Sequence, residues 1–243
     1  LQNSPDLVTR LGSFYTVDIT SIAPRIDSDG WELDVTGAVD SQLTIPYDEL
    51  TEMEAEHRFS TLRCVGEDLN SRKMDNAVWT GVPASTISEQ AGARGEFVAM
   101  RADDDYWNVI PREVFEQSYI VYGMNGHVLP REHGHPVRVI VPGHWGETNV
   151  KWLQEIEFLE EDTQGYWEER GWEGTGEVCG VTKIWTTTET ENGVLLGGQA
   201  YDGTDGVDRV EISLDGGETW TETETTERLS SRDRRRTWRY DAT

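Results

Sequence analysis

The sequence predicts an α+β protein of two units, residues 1–175 and 176–243. Two observations carry that expectation. In the first unit, short helical segments that open at proline are mixed with strands of half-exposed pattern, which favours α+β over a doubly wound parallel sheet. Beyond Glu177 the helical signals stop, and only strand and turn chemistry follows.

Taken in order, Trp31-Glu32-Leu33-Asp34-Val35 alternates apolar with polar, breaks at Gly37 and resumes over 42–45 before Pro46, which reads as strand, turn, strand. Residues 46–53 then form a short helix, with Pro46 near its first turn and acids at its positive end. A strand over 57–62 leads to Cys64. Residues 82–92 read as a helix that starts at a Pro and stops at Gly92. Strands follow at 96–101, 120–122, 137–141 and 154–158, and the Gly-, Trp- and Glu-rich segment 165–180 is a loop into the second unit. There, strands are expected at 181–187, 193–201, 207–214, 219–223 and 237–240, with a tight hairpin in Leu214-Asp215-Gly216-Gly217-Glu218-Thr219-Trp220. A complete two-sheet sandwich has about 7 strands, so the small β-sandwich expected here is truncated or completed by another subunit.

The chain carries 46 Asp and Glu against 21 Lys and Arg, a net charge of -25, which opposes binding to nucleic acid and to anionic lipid. The acids are spread along the sequence and are expected to coat the surface. With Lys73, Lys151 and Lys183 as its only lysines, the composition resembles that of proteins from salt-loving organisms, where salt screens self-repulsion. Cys64 and Cys179 allow at most one disulfide, so their number leaves the redox compartment open. No apolar run approaches the roughly 18 residues of a membrane span. Residues 1–10 show no targeting signal, and the compartment stays open between cytoplasmic and extracytoplasmic, a leader or anchor missing before Leu1 being one alternative.

Chemistry concentrates in two places. Cys64 sits in Arg63-Cys64-Val65-Gly66 after a strand, where a thiolate would be a soft ligand for a transition metal; the ordinary alternative is a small buried apolar residue. The second is a dense segment: Met124-Asn125-Gly126, Leu129-Pro130, His133-Gly134, Pro136-Val137-Arg138, Val141-Pro142-Gly143 and Asn149-Val150-Lys151-Trp152. An imidazole, a guanidinium and an ammonium beside Gly-rich backbone suit an anionic, phosphate-bearing ligand, the alternative being solvated loop charges.

Together these motifs resemble the sulfite oxidase superfamily of molybdopterin enzymes over nearly the whole chain. The resemblance implies a sulfite-oxidase-type molybdopterin-binding domain followed by an immunoglobulin-like sandwich that mediates dimerisation. It implies that Cys64 ligates molybdenum, and that His133, Arg138, Asn149, Val150 and Lys151 hold a single pterin dithiolene and its phosphate. It implies two-electron oxygen-atom transfer on a small sulfur or nitrogen oxo-compound. No haem-binding segment is read in the sequence, so electrons are expected to pass to a separate partner.

The departures bear on the substrate. Sulfite oxidases carry an Arg-Asn-His element near the start and a Cys-Ala-Gly-Asn-Arg-Arg loop whose arginines receive sulfite. Here the regions read Ser13-Phe14-Tyr15-Thr16 and Cys64-Val65-Gly66-Glu67-Asp68, and Glu67 and Asp68 are expected to repel a dianion in the pocket. Phe14-Tyr15 and Arg63-Cys64-Val65 look like the bacterial protein-methionine-sulfoxide reductase branch, which brings Tyr15 and Thr16 to the cofactor, whereas His133 is a sulfite-oxidase trait. A sulfoxide or N-oxide reductase is therefore the second reading. Trp172 stands where the substrate-side tyrosine is expected, and Trp79 and Arg72 are candidates for the pocket.

Two readings of other classes remain. His133-x-His135, with His127 and His144 nearby, would suit a hydrolytic zinc site but lacks HExxH-type spacing. A cofactor-free interaction protein keeping the fold would be favoured by loss of Cys64, Arg138 or Lys151, and all three are present.

Overall fold

β1 (Glu32–Gly37) turns Leu33 and Val35 inward and leaves Glu32 and Asp34 in solvent, so the period of two decides which face is buried. The computed structural model describes residues 4–69, 71–173, 176–203, 205–229 and 235–242. β1 pairs antiparallel with β2 (Leu43–Pro46), which runs into α1 (Tyr47–Glu52). The antiparallel pair β3 (Glu56–Arg63) and β4 (Met74–Pro83) leads to α2 (Ala84–Ala91), capped by Gly92 in the left-handed conformation. Then come β5 (Phe97–Ala102), β6 (Trp107–Pro111), the short α3 (Arg112–Phe115), β7 (Tyr119–Met124), β8 (His127–Val128), β9 (Arg138–Ile140) and β10 (Leu153–Leu159).

Two five-stranded sheets result. One has the order β2-β1-β10-β5-β6, with β1 and β10 parallel; the other is β3-β4-β7-β8 with β9 added to β7. The main core joins Leu33, Val35, Ile156 and Phe158 of the first sheet to Val82, Ile120 and Val139 of the second, with Leu50, Ile87 and Phe115 from the helices. Burying each such large side chain contributes about 1.5–3 kcal/mol. Where β1 leaves the sheet, Gly37 has φ +80° and a Cβ there would lie 2.1 Å from the Phe158 carbonyl oxygen, so only glycine fits.

β4 lies outside the strands expected from the sequence. It is central, paired with both β3 and β7 and buried along most of its length, so it shows no alternation. Two of its polar residues, Asp75 and Asn76, bond to the N-terminal segment. Asn76 Nδ2 donates to the Leu7 carbonyl at 2.8 Å, and Asp75 accepts from Thr9 Oγ1 at 3.0 Å and from the Tyr15 N–H at 2.8 Å. These bonds lash Phe14 and Tyr15 across the second sheet beside Cys64.

The second unit holds β11 (Val181–Thr190), β12 (Gly193–Tyr201), β13 (Glu211–Ile212), β14 (Thr221–Glu222), β15 (Glu224–Thr225) and β16 (Arg235–Ala242). A four-stranded antiparallel sheet has the order β11-β12-β16-β15, and β13 pairs with β14 separately. The strands expected at 207–214 and 219–223 shrink to this two-residue pair. The tight hairpin expected between them is instead a longer loop over 213–220, drawn together by Asp215, which accepts from the Thr219 N–H at 2.9 Å and from Ser213 Oγ at 2.7 Å. Satisfying the Asp215 carboxylate inside the loop replaces the two-residue turn chemistry. The expected boundary after 175 falls beside residues 174–175, outside the described residues. Among the described residues no helix is long and apolar enough to cross a membrane.

Phe158 packs edge-on against Phe115 with ring centroids 5.9 Å apart, both fully buried. Phe158→Ala is expected to destabilise the chain by about 3–5 kcal/mol in urea unfolding; a loss under about 1 kcal/mol would contradict this account of the core.

Candidate active site

The end of β3, the N-terminal segment 14–19 and loops from 133–138, 146–152 and 167–172 enclose a cleft of about 900 Å³, open to solvent. Tyr15, Thr16, Cys64, His133, Arg138, Asn149, Lys151 and Trp172 line it. Cys64 is a half-buried free thiol. Its N–H donates to the Lys73 carbonyl at 3.0 Å, extending the β3–β4 ladder by one rung, and its own carbonyl accepts from the Glu67 N–H at 3.2 Å.

Arg138 is buried at the start of β9. Its two terminal nitrogens donate to the carbonyls of His133 and Asn149, each at 2.9 Å, and its guanidinium stacks 5.2 Å from the Trp79 ring centroid. Nε has no hydrogen-bond partner among the described residues. Burial lowers its pKa to about 10, which still leaves it charged at neutral pH.

His133 is the buried last residue of a 3-10 turn and packs edge-on against Phe14 at 5.4 Å. Burial and then Arg138 lower its pKa, so the imidazole is held neutral. The adjoining Gly134 has φ +108°, and a Cβ there would stand 3.1 Å from the Cβ atoms of both Arg138 and Lys151. Glycine lets these two cationic residues pack against one turn.

Lys151 donates to the Glu132 carbonyl at 3.2 Å and contacts Asp18 directly. Burial pushes its ammonium down, and Asp18 stands as the counter-charge. The next residue, Trp152, has φ +50°, a strained conformation held by burial and by the bond from its Nε1 to the Arg131 carbonyl at 2.9 Å. The Asn149 side chain is fully used in shaping its loop, accepting from the Val141 N–H at 2.8 Å and donating to the Trp145 carbonyl at 2.7 Å.

Three expected residues lie elsewhere. Val150 points into the main core. Trp79 is buried beneath the cleft, donating to the Ser60 carbonyl and supporting Phe14 and Arg138. Arg72 leaves the cleft to stack on Trp185 of the second unit at 4.9 Å. Nor do Glu67 and Asp68 meet a ligand in the cleft: Glu67 is buried against Lys183, 2.6 Å away, and Asp68 is exposed.

The mouth's negative charge comes instead from Asp18, Asp104 and Glu147, beside Tyr106, Trp167 and Trp172. Trp167 stacks on Trp172 at 4.7 Å. Burial raises the pKa of Asp104, while burial and then Glu168 raise that of Glu147 to about 7. In sequence these acids are indistinguishable from the surface coat. Among the described residues no three His, Cys, Asp or Glu side chains converge to hold a metal ion, so the zinc reading finds no site.

The donor set fits a molybdenum pterin. A thiol, a buried guanidinium with an unpaired Nε–H and an ammonium share one cleft, a soft ligand beside anion-binding groups.

Residues 20–167 match the family model described as oxidoreductase molybdopterin binding domain, and residues 179–242 match the Mo-co oxidoreductase dimerisation domain. Rat mitochondrial sulfite oxidase is 30% identical over 83% of this chain and 46% of that protein. The uncharacterized oxidoreductase YuiH of Bacillus subtilis is 31% identical over 62% of this chain and 76% of that protein. The NADH nitrate reductase of Lotus japonicus is 29% identical over 81% and 29%. The chain thus spans about half the length of the mammalian sulfite oxidases it matches. The crystal structure of the sulfane dehydrogenase SoxCD from Paracoccus pantotrophus has the same fold, with a TM-score of 0.85 over 99% of this chain and 70% of that chain at 20% identity. The chain belongs to the oxidoreductase molybdopterin-binding family, within the sulfite oxidase superfamily.

Proposed function

We propose that this chain is the molybdenum-bearing unit of an oxidoreductase that moves an oxygen atom to or from a small sulfur or nitrogen oxo-compound. One observation carries the reading: Cys64 faces the same cleft as His133, Arg138 and Lys151, which come from a segment about 70 residues later in the chain. The bound cofactor supplies the two-electron redox chemistry. Cys64 offers the thiolate to the metal. Arg138 and Lys151 balance the charge of the pterin phosphate, and neutral His133 presents a ring nitrogen for hydrogen bonding. Tyr15 and Thr16 close the cleft from the N-terminal side, and Asn149 and Lys151 lie along its wall.

The mouth favours the second reading, reduction of a sulfoxide or an N-oxide. Such substrates are neutral at the oxygen, whereas sulfite and nitrate are anions. At about 4 Å and an effective dielectric of about 20, a carboxylate opposes a bound unit negative charge by roughly 4 kcal/mol. Asp104 supplies such a carboxyl group there and Glu147 a second that ionises near pH 7, Asp18 being paired with Lys151, and the Trp167–Trp172 stack offers apolar surface for methyl or methylene groups.

Residues 1–175 are read as the catalytic unit and 176–243 as an immunoglobulin-like unit. The dimerisation-domain match, with exposed Ile184, Leu214 and Trp220, supports a homodimer through the second unit. Electrons pass to or from a separate protein.

Full-length protein from a molybdenum-replete host is expected to hold about one molybdenum per chain, and Cys64→Ser less than about a tenth of that by elemental analysis. Equal metal in both would remove Cys64 from the site.

Glu147 also sets a pH dependence. The unfolded carboxyl releases its proton near 4.5 and the folded one near 7, so the folded state holds the extra proton and loses stability as pH rises between those values. From about pH 5 to 8 the Tm of the wild type is expected to fall relative to that of Glu147→Gln; parallel curves would contradict the shift.

A further inference from the structure

We propose that Lys183, contributed by the second unit, is a positioning residue for Cys64, so that the thiol is held in place by both units. The metal role of Cys64 rests on the function proposed above; the latch itself rests on geometry.

Cys64 opens the loop between β3 and β4, and that loop is organised around one carboxylate. Glu67 has a fully buried side chain, and its Oε1 accepts from the Lys73 N–H at 2.8 Å and from Lys183 Nζ at 2.6 Å. Its Oε2 accepts from Arg63 Nε at 3.2 Å. Lys183, with 1% of its side chain exposed, also donates to the Ser71 carbonyl. The residue before Cys64, its carbonyl partner Glu67, and Lys73, whose carbonyl receives the Cys64 N–H, are therefore tied to one another and, through Lys183, to β11. Arg63 further stacks on Trp145 at 4.8 Å, and Arg72 on Trp185 of the second unit at 4.9 Å.

A buried ion pair is weak evidence of a stabilising role, because desolvating two charges offsets most of their attraction. What it does impose is one arrangement: a carboxylate with two cations and a backbone N–H cannot shift without stranding a buried charge. Removing Lys183 alone would strand Glu67 and threaten the fold. Replacing both charges, as Lys183→Met with Glu67→Gln, takes away the electrostatic restraint and the bond to Ser71 and strands neither partner of the buried pair, while Arg63, whose side chain keeps 12% exposure, retains an amide oxygen to donate to.

The test uses the full chain, purified from molybdenum-free and molybdenum-replete hosts, as wild type and as the double variant. Iodoacetamide labelling of Cys64 in metal-free protein is read by peptide mass spectrometry, with exposed Cys179 as the internal reference. The expected result is Cys64 labelling faster by about tenfold or more, with Tm within about 5 °C of wild type. Unchanged labelling would overturn the proposal. So would a double variant that does not fold, since the pair would then support the domain and not the loop. Where the wild type carries molybdenum, the double variant is expected to retain less than about a third as much, and full retention would overturn the positioning role. A wild type without molybdenum would sink the proposed function instead, with labelling still deciding the latch.

Discussion

The cleft depends on a buried guanidinium. Among the described residues Arg138 has no carboxylate partner in return for leaving water; its terminal nitrogens donate to the carbonyls of His133 and Asn149, and it lies over the face of Trp79. Hydrogen bonds from a charged donor contribute about 1.5–3 kcal/mol each, so these contacts fix two loops at a set distance from β9. Everything on the cationic side of the cleft follows from that strut. His133 is placed by its carbonyl and its imidazole is kept neutral, and Lys151 follows Asn149 by two residues, turned by the strained Trp152 against Gly134. Among the described residues the Nε–H of Arg138 has no partner, at the edge of a cleft whose other groups also suit an anion.

An acidic chain raises the question of where its charges go. Most lie in solvent, where their mutual repulsion is screened by salt. Some that enter the interior do specific work, Asp75 tying the N-terminal segment to β4 and Glu67 organising the Cys64 loop, while Asp18 on the N-terminal segment neutralises Lys151. The cleft lining carries both signs of charge, Arg138 and Lys151 on one hand and Asp18, Asp104 and Glu147 with the aromatic rings of Tyr106, Trp167 and Trp172 on the other.

What was legible in the sequence was local. Leu33 and Val35 alternate with acids, so β1 could be read directly, and the Pro83 to Gly92 frame gave α2 nearly to its caps. Cys64, His133, Arg138 and Lys151 could be named because they sit in motifs whose spacing survives without the fold. The rest depends on contacts between distant segments. β4 is buried on both faces and shows no period, and its polar Asp75 and Asn76 make sense only once the N-terminal segment lies across them. Glu67 and Arg72 follow Cys64 by a few residues and looked like pocket groups, yet both are claimed by the second unit. Asp104 and Glu147 differ from the surface acids only through burial that the tertiary structure creates.

The face that the second unit turns to the first explains why that contact matters. Its own core is small, built around Ala200, Val210 and Trp238, and its apolar contact with the first unit is little more than Tyr201 and Val178 against Met74. The rest of the junction is polar and buried: Gln199 donates to the Met74 carbonyl at 3.2 Å, Arg235 to the Asp6 carbonyl at 3.1 Å, and Lys183 to Glu67. An apolar junction tolerates sliding, because dispersion contacts are non-directional, whereas buried hydrogen bonds and ion pairs are costly to misalign. These bonds land on Met74 at the start of β4, on the segment leading to Tyr15 and on the loop of Cys64. The second unit therefore braces the loop of Cys64 together with the strand and the N-terminal segment that adjoin it, and the geometry of the thiol is a property of the whole chain and not of its first 175 residues alone.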